Sequence, residues 1–83
     1  MGFKYRETVL VELARHGVVP RMDTPPQFVC DYLFALYSYE IRALKKRFKA
    51  GLIPQAEYRN HVEALRRRYP ILSLDVRHWV EPE

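Results

Sequence analysis

The stretch Lys45-Lys46-Arg47-Phe48-Lys49-Ala50-Gly51-Leu52-Ile53-Pro54-Gln55-Ala56-Glu57-Tyr58 places a helix stop, a two-residue apolar turn and a helix start in immediate succession. Gly51 is free to take the left-handed backbone conformation that closes a helix and satisfies its last carbonyls. Pro54 has its φ preset for a first helical position and lacks an N–H that would be orphaned there. Two residues between the stop and the start are too few for anything but a reversal, so the pattern predicts an αα-hairpin.

Upstream of this corner, Leu33, Tyr37, Ile41, Leu44 and Phe48 recur at spacings of 4, 4, 3 and 4, one stripe of a long helix expected over about 25–50. Its start is signalled by Thr24-Pro25-Pro26-Gln27, with Thr24 as cap, Pro25 in the first turn and Gln27 returning the bond of a capping box. Downstream, Tyr58, Val62, Leu65 and Tyr69 form the stripe of a helix over about 54–68, ended by Pro70. A shorter first helix is expected over about 4–16, with Tyr5, Val9, Leu10 and Leu13 on one face and Gly17 as its stop. From Ile71 to Val80 the apolar residues alternate at period two, which predicts an extended tail over 70–83. Such a tail can lie as a strap across its own helices, pair with another chain, or add to a partner's sheet edge. The fold class expected is therefore all-α, one domain over 1–83. Its core is expected to comprise Leu33, Tyr37, Ile41, Leu44, Phe48, Tyr58, Val62 and Leu65.

The segment from Leu44 to Leu65 resembles the short helical hairpin called the SHOCT domain. The matching residues are Leu44, Phe48, Gly51, Ile53, Glu57, Tyr58 and Leu65. The resemblance implies a hairpin that serves oligomerisation or a nucleic-acid-associated role rather than catalysis, and it spans about a quarter of the 83 residues.

The formal net charge of +4 is unevenly spread. Up to Tyr39 four basic residues balance four acidic ones, whereas Glu40 to Arg68 holds nine basic against three acidic. The positive charge thus belongs to the hairpin, where Arg42, Lys45, Lys46 and Lys49 share one side of the long helix and Arg66, Arg67 and Arg68 crowd the end of the next. Several cations with tyrosines close by suit the phosphate backbone of RNA or DNA. They equally suit a solvated face, with cations at helix C-termini where the macrodipole favours them.

Eleven aromatic residues, six Tyr, four Phe and one Trp, are many for one small core. Phe34, Tyr39 and Trp79, beside Phe28, Tyr32 and Leu36, are the candidates for a protein-contact surface, most simply one shared with a second copy of the chain. The three glycines, Gly2, Gly17 and Gly51, are too dispersed for a phosphate loop, and no Ser-His-Asp or Cys-His arrangement is spaced for nucleophilic chemistry. His16, His61 and His78 fall on separate elements, and Glu57 with His61 makes only a two-ligand pair. No catalytic, metal or cofactor site and no small-molecule ligand are expected. With Cys30 as the one cysteine there is no internal disulfide, and no apolar run approaches the ~18 residues of a membrane span. A cytoplasmic, non-catalytic interaction or assembly module that self-associates is the leading expectation, and nucleic-acid binding through the basic hairpin is the alternative.

Overall fold

The structure, a computed structural model, describes residues 2–82, so the expected tail is seen as far as Pro82 and Glu83 lies outside the described residues. Helices α1 (Glu7–Arg15), α2 (Pro26–Lys49) and α3 (Gln55–Arg68) are followed by two short 3₁₀ turns, Pro70–Ser73 and Val76–His78. The protein is all-α.

Both glycine stops close their helices in the same way. Gly51 sits at φ +78°; its N–H donates to the Phe48 carbonyl at 3.0 Å and the Leu52 N–H donates to the Arg47 carbonyl at 3.0 Å. Gly17 sits at φ +73°, with its N–H on Ala14 and the Val18 N–H on Leu13, each at 3.0 Å. These are paired Schellman bonds, which need a left-handed residue at that one position. The helix starts differ from expectation. Pro25 and Pro54 stand just outside α2 and α3 as caps, not inside the first turn. Thr24 caps nothing, because the cap position falls one residue later, at Pro25, which leaves the Thr24 hydroxyl outside the first turn. Its Oγ1 accepts instead from the Arg21 N–H at 3.0 Å, and the Gln27 amide donates onward to Asp31 at 2.8 Å.

The first helix begins at Glu7 rather than near Lys4 because Lys4, Tyr5 and Arg6 are occupied elsewhere. Tyr5 and Val80 form an antiparallel bridge, in which the Arg6 N–H donates to the Trp79 carbonyl at 2.9 Å and the Glu81 N–H to the Lys4 carbonyl at 2.8 Å. The Tyr5 hydroxyl donates to the Thr24 carbonyl at 2.7 Å, tying both termini to the loop before α2.

The tail is not extended, which corrects the period-two reading. With only this one bridge among the described residues, a strand would leave most of its backbone unpaired. The 3₁₀ turns satisfy it locally, through Leu74 N–H to Ile71, His78 N–H to Asp75 and Trp79 N–H to Val76 at 3.2, 2.8 and 3.1 Å. The tail nonetheless docks on its own chain. Its Ile71 and Trp79 join Tyr5, Val9, Leu13, Val29 and Leu33 in one buried cluster, the core of a compact head.

Beyond the head, α3 runs back along the second half of α2 and buries Leu44, Ile53 and Leu65. Phe48 and Tyr58 stack here with ring centroids 4.3 Å apart, but both are half-buried, as are Tyr37, Ile41 and Val62. The expected stripe is therefore real, with only Leu33, Leu44 and Leu65 of its eight residues fully inside. The whole measures 51 × 18 × 16 Å, and its radius of gyration of 15.5 Å exceeds the ~12 Å of a spherical chain this long. Head and hairpin meet at Tyr69, whose ring stacks on His16 at 4.5 Å, meets Tyr37 edge-on at 5.5 Å and donates its hydroxyl to Glu40 at 2.6 Å.

Candidate functional site

Helix α2 buries one side and leaves the other in water. Val29, Leu33 and Leu44 face inward, while Phe28, Tyr32 and Tyr39 are 72%, 52% and 70% exposed. With Ala35, these three occupy positions spaced 4, 3 and 4 apart. At 3.6 residues per turn they lie within an arc of roughly 60°, a seam along the open side of the helix. Val19, at 82% exposed, stands beside its N-terminal end, where Val18, Val19, Pro20, Thr24, Phe28 and Tyr32 line a shallow apolar groove.

The three residues expected to make one contact surface do not come together. Trp79 has no exposed surface and is enclosed by the head core, its indole N–H donating to the Leu74 carbonyl at 3.1 Å. It was read as a surface ring because its burial depends on the two chain ends meeting, which no local pattern reports. Phe34 is 60% exposed but projects from α2 roughly 130° round from the seam. Tyr39 alone of the three belongs to the seam, with Phe28 and Tyr32.

The basic residues divide similarly. Arg42, Lys45, Lys46 and Lys49 are all exposed and continue the open side of α2 beyond Tyr39 within an arc of roughly 100°. None of the four makes an ion pair among the described residues, and the Arg42 Nε donates to the Ser38 carbonyl at 3.3 Å. Arg66, Arg67 and Arg68 are exposed too, but consecutive residues splay at about 100° steps and share no face. Arg68 points to α2, 3.9 Å from Glu40. It meets Arg47, His61 and Tyr39 around a cleft between α2 and α3, with Glu40 in the same wall. Arg47 was not singled out from the sequence. The signal was its place one residue beyond Lys46, which turns it from the open side toward α3.

Burial and neighbouring charges shift the titration of several other groups. Burial chiefly, and then the Glu40 hydrogen bond and charge, push the Tyr69 phenol up to about 12. Cys30 is half-buried, and burial followed by the Asp31 and Asp75 carboxylates pushes its thiol up, so it is a poor nucleophile. The exposed Asp75 carboxyl is held below the usual range by the backbone N–H and then the guanidinium of Arg77. No three His, Cys, Asp or Glu side chains among the described residues are grouped to hold a metal ion, and no described helix is long and apolar enough to cross a membrane. Set beside known proteins, the chain matches no family model, no curated protein and no solved structure.

Proposed function

We propose that the chain is a non-catalytic protein-interaction module that associates with copies of itself through the open side of α2. The observation that carries this reading is the seam of Phe28, Tyr32 and Tyr39, three large rings more than half exposed on one side of one helix. A Tyr or Phe buries roughly 150–250 Å² when covered, and monomers seldom leave several such rings contiguous in water. The likeness of residues 44–65 to SHOCT hairpins, a family associated with oligomerisation or nucleic-acid roles, leans toward a binding or assembly module. Replacing Phe28, Tyr32 and Tyr39 together by Ser tests it. The helical circular dichroism should persist, since none of the three supports the core, while association measured by light scattering should vanish. A triple variant that associates as tightly as its parent would sink the proposal.

Nucleic-acid binding through the hairpin is the second reading. It is supported by the exposure of Arg42, Lys45, Lys46, Lys49, Arg66 and Arg67 with no ion pair to any described carboxylate. Labelled RNA or DNA should then bind with a steep salt dependence that reversal of these charges abolishes. Absence of binding at low salt would remove this reading.

A further inference from the structure

We infer that two copies pair through α2 against α2, antiparallel, in the register that sets Tyr32 of each copy against Arg42 of the other. This rests on the self-association proposed above and names its partner and geometry.

The seam does not stop at Tyr39. Phe28, Tyr32, Ala35, Tyr39, Arg42 and Lys46 follow one another at spacings of 4, 3, 4, 3 and 4, the repeat by which one helix presents a continuous edge to another. The first four are aromatic or small and the last two are cationic, so the edge has unlike halves. A parallel pair would set each Arg42 and Lys46 against its own counterpart, like charge on like charge. An antiparallel pair sets the cationic half of one copy against the aromatic half of the other, where a guanidinium or ammonium over a ring face is attracted by the ring's quadrupole.

Packing then selects the register. Antiparallel helices interleave alternate seam positions, so allowed registers differ by seven residues. The register with the longer overlap sets Phe28 on the second copy's Lys46, Tyr32 on its Arg42, and the Tyr39 ring over the methyl of its Ala35, with each meeting repeated by the two-fold axis. It also sets Asp31 opposite the second copy's Lys45. Both are exposed, and among the described residues Asp31 makes only a 2.8 Å bond with Gln27. A shift of seven residues one way places Asp31 opposite Ser38 and leaves Arg42 and Lys46 with no ring to cover; a shift the other way places Lys45 opposite Ser38 and carries Phe28 past the end of the second copy's α2. The other flank of the seam already carries α3, at the cleft with Tyr39, and the loop lining the groove with Phe28 and Tyr32. The flank of Asp31 and Lys45 is the one left for the second copy. From Phe28 to Lys46 the overlap is about 28 Å long. A strip one helix edge wide is a narrow interface, so a micromolar pair is expected rather than a permanent one.

A charge-swap cycle read by sedimentation equilibrium tests the register. Asp31→Lys and Lys45→Asp, each alone, should weaken dimerisation roughly two- to thirtyfold, because each breaks two symmetric ion pairs. The double variant D31K/K45D should recover to within about twofold of the parent, as coupled neighbours do. Lys45→Asp discriminates best. It lowers the net charge of +4 by two units and would therefore strengthen an association limited by overall repulsion. A chain that dimerises but shows no loss in the single variants, or no recovery in the double, overturns the register and leaves self-association standing. A chain that stays monomeric at every concentration overturns both. Circular dichroism of each variant confirms folding, which these exposed positions do not control.

Discussion

Trp79 has no exposed surface and lies in the cluster that joins the tail to α1 and α2, with its indole N–H satisfied by Leu74. Trp79→Ala removes the largest fully buried side chain and orphans that carbonyl. A cost of ~3–5 kcal/mol is expected, a large share of the roughly 4–12 kcal/mol available to a chain of this length. Phe48→Ala is expected to cost about half as much, since Phe48 is half-buried and held mainly by its stack on Tyr58. Urea melts of the two variants check the order, and a Phe48 loss equal to that of Trp79 would show the core to be misplaced. Tyr69 makes a pH-dependent prediction. Burial chiefly raises its folded pKa from the ordinary 10.0 to about 12, so the neutral phenol is the form that folding favours. The stability it contributes is complete below pH 10.0 and is lost as the pH rises toward about 12. Tyr69→Phe, which removes the 2.6 Å bond to Glu40, should flatten that part of the alkaline stability profile. An unchanged profile would assign the effect to another group.

The glycine corners were legible in the sequence because their chemistry is local. At Gly17 and Gly51 a left-handed residue and two backbone bonds decide where the helix ends, and each signal lies within a few residues. Open space surrounds the position a Cβ would take on Gly51, so Gly51→Ala is penalised by backbone conformation alone. A loss of roughly 1–2 kcal/mol in a denaturant melt is expected, partly recovered by Gly51→Asn, which tolerates positive φ better. No loss in either variant would mean that the corner opens at little cost. The helix start at Thr24 was misjudged by one residue, because Pro25 takes the cap position and leaves the threonine hydroxyl outside the first turn. The tail was not legible, because period-two alternation is compatible with a strand and with two 3₁₀ turns that turn Ile71 and Trp79 inward. What decided it was a bridge between Tyr5 and Val80, at opposite ends of the chain. The candidate surface was half legible: the excess of rings was evident, but helical phase separates Phe34 from Tyr39 and the meeting of the termini removes Trp79.

As a whole the molecule is a head joined to a hairpin, 51 Å from end to end, and the two parts are unequally sealed. The head encloses seven buried residues from both termini and two helices, while the hairpin hides chiefly Leu44, Ile53 and Leu65. Native-state hydrogen exchange should therefore find the amides of α3 opening before those of α2 around Val29 to Leu33. Uniform protection would contradict this division. The division also bears on function, because α2 is the one helix shared by both parts and its open side carries rings over the head and cations over the hairpin. A rod with such an edge is suited to lie against another rod. Sedimentation equilibrium of the unaltered chain from about 10 µM to 1 mM, the range in which a micromolar pair dissociates and forms, tests that most directly. The expected result is a mass rising from 10.0 kDa toward twice that value with concentration. A mass fixed at 10.0 kDa throughout would contradict the account.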